Sequence, residues 1–176
     1  MRIVGGRWAG RDLTSPGGRV RPTAEPVREA ALTWVAAELP DGLPEVRVLD
    51  LFAGTGALGL EALSRGAGTA DFVESNPSAL HALKANVTAL RLRPRTRIFK
   101  KDVFRFLQRV AAGSYEVALA DPPYTSALAR KVVEIWLDRP FARLLLVETP
   151  RGADLPRGAE TRTIGDTDLS LYRSSS

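Results

Sequence analysis

Cysteine is absent from this 176-residue sequence, and histidine occurs once, as His81. Without cysteine the chain has neither disulfides nor thiolate metal sites. A single histidine cannot supply the several ligands of a histidine-based zinc site. We therefore expect no metal cofactor. We also expect no catalytic triad based on histidine.

Long apolar runs are missing as well. No stretch of 18 apolar residues occurs, so the sequence predicts no membrane-spanning helix. The first seven residues lack the apolar core of a signal peptide. We expect a cytoplasmic protein with one hydrophobic core, for which a chain of this length suffices. No exposed apolar stripe is evident, which favours a monomer.

Acidic residues are scarce at the start of the chain. Residues 1–28 contain six arginines against two acidic residues, and the whole sequence carries a formal charge of +5 with a pI near 10.1. This balance predicts an anionic partner. Gly5-Gly6 separates two short apolar segments and Gly17-Gly18 marks a further turn. The segment is therefore predicted to form a basic β-hairpin suited to phosphate contacts. Its arginines are Arg2, Arg7, Arg11, Arg19, Arg21 and Arg28.

A second basic cluster comprises Arg91, Arg93, Arg95 and Arg97. It is either a further contact with the anionic partner or a set of solvated surface arginines. The sequence leaves both interpretations open.

The regular elements follow from apolar periodicity and from glycine and proline breaks. Short apolar strands alternate with amphipathic helices, a pattern typical of an α/β sheet. Strands are predicted at about 46–50, 69–74, 96–100, 115–120, 141–148, 160–164 and 168–172. Helices are predicted at about 25–39, 57–64, 76–87, 103–111 and 127–137.

The most informative stretch joins the first strand to its helix. Asp50 stands near the strand end, and Gly54, Gly56 and Gly59 follow in the spacing Gly-x-Gly-x-x-Gly. Glycines there let the backbone turn tightly and approach a ligand, and the N–H groups of the helix start point into the turn. This pattern predicts a nucleotide-type cofactor site. It fits a dinucleotide as well as S-adenosylmethionine, and a ligand-free glycine turn is a further alternative.

Acidic residues end three more strands. Glu74 follows the second strand, where a carboxylate can accept both hydroxyls of a ribose. Asp102 follows the third strand and can bond an adenine amino group or cap the next helix. Asp121 follows the fourth strand and opens Asp121-Pro122-Pro123-Tyr124. Because prolines lack an N–H, the carbonyls of this tetrapeptide remain available to an amine of the substrate.

These segments together resemble the bacterial guanine-N2 methyltransferases of small-subunit (16S) ribosomal RNA, of the D type. Asp-x-Phe-x-Gly-x-Gly and Asp-Pro-Pro-Tyr are typical of amino-group methyltransferases in general, and the N-terminal segments are specific to the family. The matching segments are Arg2-Ile-Val-Gly-Gly6, Arg21-Pro-Thr23, Val27-Arg-Glu29, residues 50–67, Phe72-Val-Glu74, Asp121–Tyr124 and Gly165-Asp-Thr167.

The resemblance implies a Rossmann-like class I methyltransferase fold. The sheet would be seven-stranded and mostly parallel, in the order 3-2-1-4-5-7-6 with strand 7 antiparallel. Residues 1–24 would form the basic hairpin extension, in contact with RNA, and residues 25–173 the methyltransferase domain.

The resemblance also implies transfer of a methyl group from S-adenosylmethionine, with S-adenosylhomocysteine as product, to a guanine of small-subunit ribosomal RNA or of the assembling 30S particle. The catalytic residues would be Asp121, Pro122, Pro123 and Tyr124. The cofactor-binding residues would be Asp50, Phe52, Gly54, Thr55, Gly56, Glu74, Ser75, Asp102, Val103 and Asp121. The RNA-binding residues would be Arg7, Arg11, Arg19, Arg21, Thr23 and Arg28.

Three other functions remain compatible with parts of the sequence. An NAD-dependent oxidoreductase would use the same glycine turn but leaves Asp-Pro-Pro-Tyr unexplained. A non-catalytic RNA-binding assembly factor would bind RNA without methyl transfer. A methyltransferase acting on adenine N6 or on a protein glutamine would keep the chemistry and change the target.

Overall fold

The structure, a computed structural model, describes residues 1–15, 24–123 and 126–175. These residues form one sheet with the strand order β3-β2-β1-β4-β5-β7-β6. The strands are β1 (Arg47–Leu51), β2 (Thr69–Glu74), β3 (Thr96–Lys100), β4 (Tyr115–Ala120), β5 (Ala142–Pro150), β6 (Glu160–Ile164) and β7 (Thr167–Arg173). The helices are α1 (Glu25–Ala37), α2 (Ala57–Ser64), α3 (Pro77–Ala89), α4 (Val103–Leu107) and α5 (Ser126–Asp138). The predicted fold class is confirmed.

The first five strands are parallel, and β7 runs antiparallel between β5 and β6. Parallel strands covered by helices on both faces are apolar throughout, which is why β1 and β4 appear in the sequence as short apolar runs. Leu49, Val117 and Leu119 are all fully buried. The edge strand β6 is largely exposed and carries charged and hydroxyl side chains, which suits a sheet edge.

The core has two layers, one on each face of the sheet. One layer lies under α1, α2 and α3 and includes Leu32, Leu60 and Leu83. The other lies under α4 and α5 and includes Leu107 and Val132. This arrangement fixes the carboxyl ends of the parallel strands along one edge, where the predicted site residues lie.

The predicted N-terminal β-hairpin is not confirmed. Residues 1–15 contain a single antiparallel bridge between Arg2 and Asp12, and a short 3₁₀ turn, Gly6–Trp8, occupies the reversal between them. Gly6 has φ +77°, and a Cβ there would lie 2.0 Å from the carbonyl oxygen of Ser64. The segment therefore packs closely against the end of α2. Its two ends do pair, since the N–H of Ile3 donates to the carbonyl of Arg11 and that of Leu13 to the carbonyl of Met1, but they do not form two regular strands. The predicted second turn, at Gly17-Gly18, falls outside the described residues.

The N-terminal segment nevertheless contributes to the core. Ile3 is 1% exposed and Leu13 is 6% exposed. The separation of residues 1–24 from a methyltransferase domain at 25–173 stays a prediction. No helix in the described parts of the chain is both long and apolar enough to cross a bilayer.

Candidate active site

The strand register brings three of the predicted site residues into one row. Leu51 of β1 lies opposite Val73 of β2 and opposite Ala120 of β4. The next residue on each strand is Phe52, Glu74 and Asp121, respectively. Since neighbouring strands are about 4.8 Å apart, the backbones at Glu74 and Asp121 are separated by roughly 10 Å. A nucleoside cofactor can span that distance.

The three glycines of the turn have different environments. Gly54 has φ +57°, and among the described residues a Cβ built there would meet only the carbonyl oxygen of Phe52, at 4.0 Å. Gly56 has φ +83°, and its Cβ would lie 2.4 Å from Leu83. A Cβ on Gly59 would lie 2.5 Å from the ring of Phe72. Gly54 therefore leaves open space for a ligand, whereas Gly56 and Gly59 allow the turn to pack against the sheet and α3.

Asp50 is hydrogen-bonded to the backbone at the start of α2. Its side chain is 1% exposed, and its Oδ2 accepts a hydrogen bond of 2.9 Å from the N–H of Gly59. Burial raises the pKa of Asp50 well above its usual range; the bond from Gly59 opposes this shift, and the carboxylates of Asp121 and Glu74 add to it. Asp50 thus positions the start of α2, and a direct contact with a cofactor stays a prediction.

Glu74 is half-buried and already organises the loops around it. One carboxylate oxygen accepts the N–H of Gly54 at 2.8 Å. The other accepts the N–H groups of Ser75 at 2.8 Å and Asn76 at 2.7 Å. A carboxylate has about four acceptor positions, and three backbone N–H groups occupy those of Glu74. Glu74 therefore retains capacity for one ribose hydroxyl, rather than for both as the sequence predicts.

Phe52 lies between the strand and the glycines in a left-handed conformation, with φ +57°. Its ring packs edge-on against Phe104, with the centroids 6.2 Å apart. The Lys131 ammonium lies 4.2 Å from the centre of the Phe104 ring. The rings of Phe52 and Phe104 therefore form an apolar surface beside the strand ends, on the side of α4.

Asp102 and Val103 begin α4. Asp102 is exposed, and its carboxylate accepts the N–H of Arg105 at 3.0 Å. The helix-cap interpretation of Asp102 is therefore confirmed, and its contact with an adenine stays a prediction. The Val103 side chain is 4% exposed and packs into the core.

The Asp-Pro-Pro segment leaves β4 at the same edge. Asp121 is half-buried, Pro122 is buried and Pro123 is exposed. Tyr124 falls outside the described residues, so its predicted role stays a prediction. Within the described ranges no group of three or more His, Asp or Glu residues is arranged to hold a metal ion.

One predicted RNA contact requires correction. Arg28 is 0% exposed, and its Nη2 donates to the carbonyl of Arg2 at 2.5 Å. Burial lowers the pKa of Arg28, and the carboxylates of Glu61, Glu25 and Glu148 oppose this shift. A guanidinium enclosed in this way is not available to a phosphate at the surface.

The other predicted RNA contacts divide between exposed and undescribed residues. Arg7 and Arg11 are exposed and stay candidates for phosphate contact. Arg19, Arg21 and Thr23 fall outside the described residues.

The sequence analysis does not predict the residues that attach the N-terminal segment to α2 and to the glycine turn, residues 52–56. Glu61, fully buried in α2, accepts the N–H groups of Val4 at 2.8 Å and Gly5 at 2.7 Å. The Ser64 hydroxyl accepts the N–H of Trp8 at 2.9 Å. The sequence does mark Glu61 as unusual, because it is the only charged residue of an apolar eight-residue helix and a buried charge needs partners.

Asn86 provides the second attachment. Its Oδ1 accepts the N–H of Thr14 at 2.7 Å, and its Nδ2 donates to the carbonyls of Thr14 and Thr55, each at 3.0 Å. Asn86 is 2% exposed and stands three residues after Leu83 on the apolar face of α3. It connects the basic segment directly to the turn that carries Gly54 and Gly56.

Replacing Asn86 with leucine should lower the free energy of unfolding by about 2–3 kcal/mol, because buried polar groups of Thr14 and Thr55 lose their partners. The affinity for S-adenosylhomocysteine should fall as well, since Thr55 belongs to the glycine turn that is predicted to bind the cofactor. Thermal unfolding and calorimetric titration measure the two effects. Lys84→Leu, on the exposed face of the same helix, is the matched control. Equal behaviour of the two variants would contradict this role.

Asp50 should make the stability of the protein depend on pH. Because its pKa is raised in the folded state, the folded protein keeps a proton that the unfolded chain releases above a pH of about 3.9. Stability should therefore fall as pH rises from there towards the raised pKa, by up to about 1.4 kcal/mol per pH unit. In Asp50→Asn, which retains an acceptor for Gly59, this contribution should vanish. Urea unfolding at a series of pH values tests it, and a difference between the two proteins that does not change with pH would contradict it.

The chain matches the family described as Conserved hypothetical protein 95 over residues 1–166. The chain belongs to this family. Ribosomal RNA small subunit methyltransferase D of Escherichia coli (strain K12) is 35% identical over 141 residues, which cover 78% of this chain and 67% of that protein. The protein of the same name from Haemophilus influenzae is 32% identical over 188 residues, covering 98% and 93% of the two chains.

Solved structures share the fold of this chain. A hypothetical protein of Thermus thermophilus superimposes with a TM-score of 0.84 at 31% identity, covering 99% of both chains. An RNA methyltransferase from Salinibacter ruber, solved in complex with S-adenosyl-L-homocysteine, has a TM-score of 0.66 at 14% identity and covers 87% of this chain and 93% of its own. The latter similarity concerns the fold.

Proposed function

We propose that this protein transfers a methyl group from S-adenosylmethionine to the exocyclic N2 amine of one guanine in small-subunit (16S) ribosomal RNA. Family membership supports the class of enzyme, since its relatives carry the name ribosomal RNA small subunit methyltransferase D. The observation that carries the chemistry is the row at the sheet edge. There, Asp121-Pro122-Pro123 follows β4 two strands away from Glu74, with the glycine turn between them.

The residues of the row suit this cofactor. Gly54 leaves room above the turn, and Glu74 has acceptor capacity for the ribose. The carboxylates of Glu74 and Asp121 both lie near enough to interact electrostatically with the buried Asp50. When bound, S-adenosylmethionine supplies a methyl group that is activated by the positive charge of its sulfonium. Nearby carboxylates favour a cation over a neutral or anionic ligand.

The protein's contribution to the transfer is orientation of the acceptor amine. The lone pair of an exocyclic guanine nitrogen is delocalised into the ring, which makes it a weak nucleophile. We infer that the Asp121 side chain and the Pro122 carbonyl accept the two amine hydrogens and direct the lone pair towards the methyl carbon. A nitrogen–carbon bond forms as the carbon–sulfur bond breaks, and the nitrogen then releases one proton to Asp121 or to water.

The substrate base must leave its stack to reach this edge, or already be looped out of the RNA. In this proposal Tyr124 stacks on the base, and Arg7, Arg11, Arg19, Arg21 and Thr23 contact RNA phosphates. The protein acts as a monomer in the cytoplasm, on free ribosomal RNA or on the assembling 30S particle.

The direct test is transfer of labelled methyl from S-adenosylmethionine to three acceptors in parallel: unmodified small-subunit RNA, the subunit particle lacking the modification, and duplex DNA. Label should enter the RNA or the particle and not the DNA. Label in DNA alone would overturn the proposed substrate class. RNA binding without any transfer would instead favour a non-catalytic assembly factor.

A further inference from the structure

The two basic clusters of the sequence meet in one groove. This groove has a volume of about 500 Å³, and its described lining includes Arg7, Trp8 and Arg11 from the N-terminal segment and Arg91 and Arg95 from the loop between α3 and β3. More than 75 residues separate the two segments in sequence. Their convergence is therefore a property of the fold.

The arginines of the groove differ from the ion-paired arginines elsewhere on the protein. Arg47, Arg97 and Arg173 each form an ion pair with a carboxylate. In the described part of the chain, none of Arg7, Arg11, Arg91 and Arg95 has a carboxylate within 4.0 Å. The lining residues that the structure describes include no acid. The groove is thus a concave surface of concentrated positive charge, which favours a polyanion.

Two residues of the groove, Arg95 and Trp8, are fixed by hydrogen bonds. Arg95 donates to the backbone carbonyls of Gly68 and Ala67, which fixes its guanidinium at the groove without neutralising it. Trp8 is half-buried, with its backbone bound to Ser64. The Arg7 guanidinium lies 5.5 Å from the centre of the Trp8 ring. An indole beside several guanidinium groups suits a nucleic acid, which offers phosphates and bases together.

The groove lies at the opposite end of the sheet from Asp121. Helix α3 starts after the carboxyl end of β2 and ends before Arg91, so the loop of Arg91 and Arg95 precedes the amino end of β3. The 13 residues of α3 span about 20 Å at 1.5 Å per residue. A ligand in the groove is therefore too far away to be the base that reacts.

We propose that this arginine groove binds the sugar–phosphate backbone of RNA at a site remote from the methylated nucleotide. The inference rests on the proposed function for the identity of the substrate. The N-terminal segment, which forms one side of the groove, is bound to Glu61 and Ser64 of α2. Asn86 binds it to Thr55 of the glycine turn. RNA bound in the groove is thereby held in a fixed relation to the active site.

The double variant Arg11→Gln/Arg91→Gln removes one charge from each of the two segments that line the groove. It keeps Arg95, which donates hydrogen bonds to the backbone. Its dissociation constant for unmodified small-subunit RNA, measured by filter binding, should rise at least about tenfold at 0.1 M salt. The slope of log K against log salt should become shallower by about 1.5, since each phosphate contact contributes about 0.7–0.9. Affinity for S-adenosylhomocysteine, measured by calorimetry, should be unchanged.

Arg109→Gln/Arg143→Gln is the matched control, because both residues are exposed, lie outside the groove lining and lose the same total charge. Its RNA affinity should change less than about twofold. Wild-type affinity of the groove variant for free RNA would overturn the proposal, and so would a loss confined to the subunit particle, which would indicate a protein partner. If the groove variant binds RNA more weakly but the wild-type protein transfers no methyl group, the groove proposal stands and the proposed function is refuted.

Discussion

Replacing Asp121 with alanine should lower kcat for methyl transfer by at least about a thousandfold, the scale seen when a group aimed at the reacting centre is removed. The exocyclic amine would lose the acceptor that directs its lone pair. The affinity for S-adenosylhomocysteine should change far less, because Glu74 and the glycine turn remain. Single-turnover kinetics with saturating RNA separates the two effects, since it reports the chemical step without product release.

Asp138→Ala, an exposed carboxylate at the end of α5, is the matched control for charge and should retain wild-type rates. Asp121→Asn keeps one acceptor oxygen and should fall between wild type and the alanine variant. A wild-type single-turnover rate in Asp121→Ala would refute the catalytic assignment. Loss of cofactor affinity equal to the loss of rate would instead make Asp121 a cofactor ligand only.

Replacing Gly59 with alanine should destabilise the protein by about 3 kcal/mol and abolish measurable cofactor binding. The added Cβ would lie 2.5 Å from the Phe72 ring and 3.1 Å from Oδ2 of Asp50. Phe72 is fully buried, so its ring has no space to move into. The start of α2 would be displaced, and the turn that carries Gly54 would move with it.

A second substitution makes this prediction specific. Phe72→Leu removes the ring atoms that the new Cβ meets, so the Gly59→Ala/Phe72→Leu protein should regain part of the lost cofactor affinity. Gly152→Ala places its Cβ in open space at φ +77° and should cost only about 1 kcal/mol, from backbone strain alone. Thermal unfolding and calorimetric titration are compared for five proteins: the wild type, Gly59→Ala, Phe72→Leu, the double variant and Gly152→Ala. Strictly additive losses in the double variant would contradict the packing argument.

The sequence predicts the sheet well because its signals are local. Strands β2, β3 and β4 begin and end at the residues that the sequence predicts. Helix α4 is shorter than predicted and ends at Leu107, because the N–H groups of Arg109 and Val110 bond the carbonyls three residues back rather than four. Local patterns do not determine how the last turn of a helix tightens.

The candidate site is predictable in its residues and less so in their roles. The sequence predicts the glycines and the carboxylates Glu74 and Asp121 at the strand ends, and the register brings them together. Arg28 could not be distinguished in sequence from the exposed arginines near it, since burial of a charged side chain depends on contacts that are distant in the chain. The bonds of Asn86 and the groove between the two basic clusters depend on distant contacts in the same way.

The most direct test of the account is the identity of the methylated atom. Unmodified small-subunit RNA is incubated with the protein and methyl-deuterated S-adenosylmethionine, and the digested nucleosides are resolved by liquid chromatography and mass spectrometry. We expect deuterated N2-methylguanosine, derived from a single guanine. Deuterium on adenosine N6, on a ring nitrogen or on a ribose oxygen would contradict the proposed role of Asp121-Pro122-Pro123 in orienting a guanine amine.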